Sequence, residues 1–547
     1  MTDKTFFDRI DTLAASSATV CFVSTGSSVT VEWAELVAAS QTLADHPALA
    51  DFEPGEIVML AGETSPEIIV GLLACWRRRL IPTIAPRKSS LQTRGAFLTD
   101  LEGRLDQTHA AAVIAAESAQ GELPTRGRLD IVRSRNASIG HLAVVRVRTR
   151  RVGAPRPGEW VAAQFSSGTS AAPRPRLIGE RALTANLSGI CQRLTLGHDD
   201  VFVSWLPLFH DMGLFAVVCL AMHCGGRLVL SPPRSFVEDP TSWMRTIAAH
   251  GGTYTAAPNF AYSIVGRAPV PARSAGLSTL RHVVSGSEQI VPRDVRQFLG
   301  AWSAWGMQPT SFVAAYGMAE TVAATTVSPP GVGLECHLSD TASWTHSSVT
   351  RDGPARDLVE VPLVGEPIAG THVRLVSGDG SAIAVDDVVG EIEVGGTSMA
   401  ADLVSARPLG SEQGWWPTGD LGLMHSGRLG VVGRVSEMVI LAGRNISPAA
   451  VEASLVGVRG VRPSRAAAFG VAGSRGTERL IVVAEVRAME AYPGLRSRVR
   501  KAIEAAIGVS PEVVLLPEDT LVRTTSGKLR RQAYRRAYVE GKYDQFR

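Results

Sequence analysis

Short apolar runs alternate along the chain with longer segments in which apolar positions recur every third or fourth residue. The run "EIVMLAG" (56–62) leads into "SPEIIVGLLACWRR" (65–78), which predicts a buried strand followed by a helix opened by Ser-Pro. The same alternation recurs at "DVFVSWLPL" (200–208), "GGRLVLSP" (225–232) and "LRHVVSGSEQ" (280–289). Repeated strand–helix units of this kind predict parallel sheets covered by helices. From about Gly365 the texture changes: "THVRLVSGDGSAI" (371–383) and "GEIEVGG" (390–396) read as strands joined by Gly/Asp turns, a small antiparallel β-subdomain. After Gly433, "EMVILAG", "SPAAVEASLVGV", "RLIVVAEV" and "GLRSRVRKAIEAAIG" form the pattern of a compact α+β unit. The expected organisation is therefore α/β: a large N-terminal domain of mostly parallel, helix-covered sheets over 1–433, with the β-subdomain at about 360–433, and a small α+β C-terminal domain over 434–547. There is no internal repeat, and the loosest polar stretch is Ser328 to Leu358.

Composition narrows the function classes. A chain of 547 residues with 45% hydrophobic and 20% charged residues is globular and too long for one ordinary core. Its 55 basic and 52 acidic residues leave a formal charge of +3, too small to point to nucleic acid. The opening "MTDKTFFDRIDTL" lacks the apolar core of a signal peptide, and no apolar run approaches the ~20 residues that span a bilayer. The six cysteines carry no C-x-x-C spacing and read as reduced thiols, with Cys219 and Cys224 as packing residues. These features predict a cytoplasmic protein without a membrane partner.

The chemistry begins at "QFSSGTSAAPRPRLIGE" (164–180), where Ser166, Ser167, Gly168, Thr169 and Ser170 follow a strand-like run. A strand-exit loop of hydroxyls and backbone N–H groups can wrap a phosphate, although an ordinary surface loop has the same composition. Its neighbours separate the two readings. "SWLPLFHDMGL" (204–214), "AAYGMAET" (314–321), "WWPTGDLG" (415–422), "GRVSEMVILAGRNISPAAVE" (433–452) and "TTSGKLRR" (524–531) follow in that order. Together with the loop they resemble the signature blocks of the adenylate-forming superfamily of acyl-CoA synthetases, peptide-synthetase adenylation domains and luciferases. "WLPLFHDMGLF", "APNFAY" and "YGMAETV" look most like fatty acyl-AMP ligases, and Ser328 to Leu358 then corresponds to those ligases' insertion.

The resemblance implies ATP and Mg²⁺ as cofactors, a mobile C-terminal domain and a set of residue roles. Glu320 matches the Mg²⁺ ligand; Tyr316, beside Gly317 and Met318, the adenine-stacking residue; and Gly286, Ser287 and Glu288 the border of the base. Asp420 matches the ribose-binding aspartate, Arg434 the arginine that reaches ribose or phosphate, and Lys528 the catalytic lysine that neutralises charge between carboxylate and α-phosphate. Ser436 takes the hinge position, where the family usually has Asp or Lys. Each has an ordinary alternative: a solvated acid or lysine, a turn aspartate, a surface ion pair.

Two departures stand out. Pro173-Arg174-Pro175 replaces the usual Pro-Lys-Gly, which keeps a charge at Arg174 but exchanges an ammonium for a planar fork and stiffens the loop. Pro417 replaces the arginine common before "TGD". For the acid, His210 and Asp211 follow the acyl and aryl acid pattern, with Asn259, Phe260 and Tyr262 as further wall residues and His210 also a candidate for touching the carboxylate. The implied function is activation of a fatty or aryl carboxylic acid as an acyl adenylate, with release of pyrophosphate and transfer to an acyl carrier protein. Transfer to CoA or an amine, activation of a small oxyacid such as nitrite, and a non-catalytic nucleotide- or carrier-binding relative remain as alternatives.

Overall fold

The computed structural model describes residues 5–546 except 89–93, 123–127, 134–140, 147–159, 167–172, 272–275, 341–357, 411–413, 442–443, 456, 474–477, 488–492 and 522–529. The largest sheet has nine strands. Its central strands Phe312–Tyr316, His282–Ser285, Tyr254–Ala257, Val201–Ser204, Arg227–Leu230 and Thr19–Ser24 run parallel. Antiparallel strands close both edges: Ser27–Glu32 on one side, Thr326–Val327 and Glu366–Pro367 on the other. The parallel strands are buried throughout most of their length, as expected where helices cover both faces.

A second sheet orders Ile81–Ile84, Ile57–Ala61, Ala112–Ala116, His141–Arg146 and Arg128–Arg133, parallel for the first three strands and antiparallel for the last two. The run at 56–62 forms its central strand, and Ser65 is followed by helix Pro66–Arg77, whose residues Ile68 to Trp76 are all buried. The two sheets share one apolar core. Trp76 crosses it to donate its indole N–H to the Val161 carbonyl at 2.8 Å.

Beyond 365 the Gly/Asp turns do produce antiparallel pairing, in a five-stranded sheet made of Ala382–Ile383, Thr371–Val376, Gly390–Gly396, Trp415–His425 and Arg428–Arg434. A separate hairpin pairs Cys336–Asp340 with Leu358–Pro362; residues 341–357 of the loose polar stretch lie outside the described residues. Toward the C-terminus, Val461–Ala472, Glu478–Val486 and Glu512–Leu516 form a three-stranded sheet, with helices Pro448–Ser454, Leu495–Ile507 and Arg531–Val539 packed on it. No helix among the described residues is long and apolar enough to cross a membrane. All six cysteines are free, and burial pushes the Cys75 thiol up to about 12.

Candidate active site

The parallel strands end at one edge, and polar groups converge there because every strand–helix connection at that edge leaves its loop on the same side. His210 and Asp211 come from the segment after Val201–Ser204, and Asn259 and Phe260 from the helix after Tyr254–Ala257. Ser287 and Glu288 follow His282–Ser285, while Tyr316, Gly317 and Met318 come from the end of Phe312–Tyr316. With Asp420 and Arg434 from the antiparallel sheet and Glu437, Glu452 and Arg531 from the C-terminal segment, they line a cavity of about 340 Å³.

Its most constrained group is a carboxylate held from two sides. Asp420 and Arg434 are paired across adjacent strands, and Arg434 Nε donates to Asp420 Oδ1 at 2.7 Å. The Tyr316 hydroxyl donates to Asp420 Oδ2 at 2.9 Å. The Asp420 backbone N–H donates to Thr418 Oγ1 at 3.0 Å, and the intervening Gly419 has φ +73°, a left-handed conformation that a side chain would strain. Desolvation and the adjacent Asp420 charge push the Tyr316 phenol well above its usual range, so it remains a donor to Asp420 at neutral pH. Desolvation opposes the Arg434 charge, but Asp420 outweighs it and holds the guanidinium protonated.

Gly317 is required by close packing. A Cβ there would lie 1.8 Å from the Ala323 carbonyl oxygen and 2.8 Å from the Ala324 Cα, both backbone atoms that cannot swing away. Gly317→Ala is expected to cost about 3 kcal/mol, the upper end for overpacking, and to lower the melting temperature by roughly 5 °C or more. An unchanged melting curve in differential scanning fluorimetry would contradict this packing.

His210 Nδ1 lies 2.6 Å from Asp211 Oδ1, which also accepts the Met212 backbone N–H at 2.7 Å. Both side chains are largely buried in the cavity wall. Asn259 also lines it, but its Oδ1 accepts the Val291 N–H at 2.9 Å, so its amide fastens the following loop. Glu288 accepts the Phe260 backbone N–H, which fixes the start of the helix Asn259–Val265. Phe260 faces the cavity and meets Trp205 edge-on at 6.2 Å. Tyr262 does not belong with these wall residues. It is fully buried, donates to the Val284 carbonyl at 2.7 Å and packs on Trp243 and Phe298. Two residues along a helix turn the side chain roughly 200° about the axis, so Phe260 and Tyr262 take opposite faces, and a block of adjacent residues cannot tell which face each one takes.

The two flanks of the phosphate-loop candidate are paired strands. Strand Trp160–Phe165 pairs with Pro175–Gly179, the Ser166 N–H donates to the Arg174 carbonyl at 2.9 Å, and the Arg174 N–H approaches Ser166 Oγ at 3.4 Å. Arg174 is exposed at this base; Ser167, Gly168, Thr169 and Ser170 lie outside the described residues, as does Lys528. Gly286 packs beneath the cavity against the Ala315 carbonyl rather than lining it.

Glu320 is not in the cavity wall. Its Oε1 lies 3.4 Å from Arg176 Nε, and the two side chains are only 14% and 9% exposed. Arg176 also reaches Asp402 Oδ2 at 3.7 Å and lies 5.5 Å from the centre of the Trp416 ring. Sequence reasoning passed over Arg176, although an arginine followed by Leu-Ile within a strand signals a buried charge that needs partners. It also passed over Arg531, whose guanidinium joins Glu437 Oε2 at 2.6 Å and Glu452 Oε2 at 2.7 Å, and Gln164, which donates to the Phe209 carbonyl at 2.9 Å and ties the loop hairpin to the His210 segment. Nothing local in the sequence marks the last two, because their partners are distant along the chain.

A parallel sheet with convergent polar groups lining a cavity at its C-terminal edge is the arrangement of a ligand-binding α/β protein. Residues 11–402 match the AMP-binding enzyme family, and the chain belongs to that family. It is 29% identical to the long-chain-fatty-acid–AMP ligase FadD26 of Mycobacterium marinum, over 93% of this chain and 91% of that protein. To the long-chain-fatty-acid–AMP ligase FadD28 of Mycobacterium tuberculosis it is 29% identical over 70% of each. A structure from studies of fatty acyl-adenylate ligases of E. coli and L. pneumophila superposes with a TM-score of 0.82 at 23% identity, covering 98% of this chain and 99% of that one, and so shares its fold.

Proposed function

We propose that this protein is an ATP-dependent ligase that converts a fatty carboxylic acid to its acyl adenylate and passes the acyl group to a carrier protein. A carboxylate oxygen attacks the α-phosphorus of ATP, a new P–O bond forms, and the bond to the bridging oxygen breaks to release pyrophosphate. The observation that carries this reading is the Tyr316–Asp420–Arg434 constellation on the cavity wall of a chain in the AMP-binding family. A carboxylate has about four lone-pair sites; Tyr316 and Arg434 use two, and the others suit the paired hydroxyls of a ribose. The Tyr316 ring then borders the base with Ser287, Glu288, Gly317 and Met318. The hydroxyls and backbone of Ser166 to Ser170 hold the β- and γ-phosphates, with Arg174 supplying the charge at the loop base.

Phe260, with Trp205 and Phe236 behind it, gives the acid an apolar wall, and His210 with Asp211 borders the carboxylate end. Glu320 has the carboxylate chemistry that suits Mg²⁺, which is commonly bound by one or two carboxylates plus substrate phosphates, and in this structure that carboxylate is paired with the Arg176 guanidinium. When bound, the ion supplies charge neutralisation at the phosphates. In this reading residues 1–433 form the adenylation domain, and 434–547 turn about Ser436 to exchange the adenylation and transfer arrangements.

The relatives support the choice of a fatty acid and of an acyl-AMP product. The hairpin Cys336–Asp340/Leu358–Pro362 supports a carrier acceptor, since Val359 to Pro362 share the cavity wall with Ala449, Glu452 and Arg462 of the C-terminal segment and so restrict that junction. The test is ATP–pyrophosphate exchange across saturated fatty acids, aryl acids and amino acids without any acceptor, followed by a holo carrier protein or free CoA. Exchange is expected with fatty acids, and completion with the carrier at least about tenfold faster than with CoA. No exchange with any acid, or rapid acyl-CoA formation, would sink the reading.

A further inference from the structure

Two imidazoles and a carboxylate meet away from the cavity, at the seam between the hairpin and the antiparallel sheet. His337 lies in Cys336–Asp340, His425 ends the strand Trp415–His425, and Asp387 sits in the turn before Gly390–Gly396. Asp387 Oδ1 is 2.8 Å from His425 Nδ1 and 3.2 Å from His337 Nε2, and the ligand-capable atoms of all three residues lie within 4.8 Å of one another. This is the one such cluster of His, Cys, Asp and Glu among the described residues.

The backbone holds the group in place. Asp387 has φ +64°, a left-handed conformation uncommon outside glycine, and its N–H donates to the Met424 carbonyl at 2.8 Å, beside His425. The next backbone link, from the Ser426 N–H to Asp386 Oδ2 at 2.7 Å, clamps the same turn. The imidazole rings stack with centroids 4.1 Å apart and planes at 29°.

We propose that His337, Asp387 and His425 bind a transition-metal dication of the zinc class. Two imidazole nitrogens and one carboxylate oxygen, from three separate elements, are a donor set for borderline metals rather than for Mg²⁺ or Ca²⁺. Tetrahedral coordination with bonds of about 2.0–2.1 Å places ligand atoms roughly 3.3 Å apart. The observed separations from Asp387 differ from that by a few tenths of an ångström, so a small outward shift admits the ion. Water takes the fourth position, since Asp387 and His425 are partly exposed.

The consequence of the site is mechanical. His337 is the cross-strand partner of Val361, which lines the catalytic cavity, so an ion at His337 fastens that wall to the antiparallel sheet that carries Asp420 and Arg434.

The experiment uses the untagged full chain after chelator treatment and dialysis. Titration with Zn²⁺ in a calorimeter is expected to show one equivalent bound at micromolar or tighter Kd, and Co²⁺ to give visible ligand-field absorption. Asp387→Asn, His337→Ala and His425→Gln should each weaken Zn²⁺ binding at least about tenfold and abolish the Co²⁺ bands. Zn²⁺ should raise the melting temperature of the parent protein and not of the variants; if one variant does not fold, the other two decide. No saturable binding by the parent, which leaves a hydrogen-bonded triad only, overturns the site. So does binding that all three variants retain.

Discussion

Lys528→Ala is expected to slow adenylate formation by about 10²–10³-fold, the effect of removing one preorganised donor from a developing anionic centre, while the melting temperature stays unchanged. Lys528 lies outside the described residues, but the chain on its C-terminal side is anchored. Arg531 is held by both Glu437 and Glu452 in the cavity wall. In the proposed function the Lys528 ammonium neutralises the charge that gathers between the acid and the α-phosphate. The loss should be confined to one half-reaction: with preformed acyl adenylate supplied, transfer to a holo carrier proceeds at the parent rate. Lys528→Arg keeps the charge but not the compact geometry and should recover only part of the activity. Near-parent pyrophosphate exchange by Lys528→Ala would remove this residue from the mechanism, as would equal losses in both half-reactions.

Arg176→Ala is expected to carry the largest stability cost of any single change at the site. It removes the cation shared by Glu320 and Asp402, and breaking a buried ion pair by deleting one partner costs about 3–5 kcal/mol. Asp402 is 44% exposed and contributes little of this; the cost arises at Glu320. The variant should melt well below the parent in the absence of divalent ions. Added Mg²⁺ should then raise its melting temperature more than the parent's, because the two carboxylates become a hard-oxygen site once the guanidinium is gone. Glu320→Ala, by contrast, leaves Arg176 with Asp402 and Trp416 and should lack that Mg²⁺ response. Equal melting temperatures for Arg176→Ala and the parent, or the same Mg²⁺ response in both, would contradict this account.

Much of the architecture was legible in one dimension because its causes are local. Burial of both faces makes a parallel strand a continuous apolar run, as at Ile57–Ala61, and Ser-Pro opens the helix that follows it. Gly and Asp at turn positions announced the antiparallel strands beyond 365. Motif blocks likewise brought His210, Asp211, Phe260, Tyr316 and Asp420 to notice, since each follows or ends a strand at the sheet edge or within the facing sheet.

What the sequence by itself determined was the alternation of elements, the family and the residue types gathered around the cavity. Tertiary structure alone decided which side chains face one another. It turned Tyr262 into the core, set Arg176 against Glu320 at a separation of 144 residues, and joined Arg531 to Glu437 and Glu452. It also brought His337, Asp387 and His425 together from three elements. The physical reason is the same in each case. Hydrophobic periodicity depends on neighbours a few residues away and is written into every segment. The partner of a buried charge or imidazole is chosen by how segments pack, and a single chain carries no local mark of that choice.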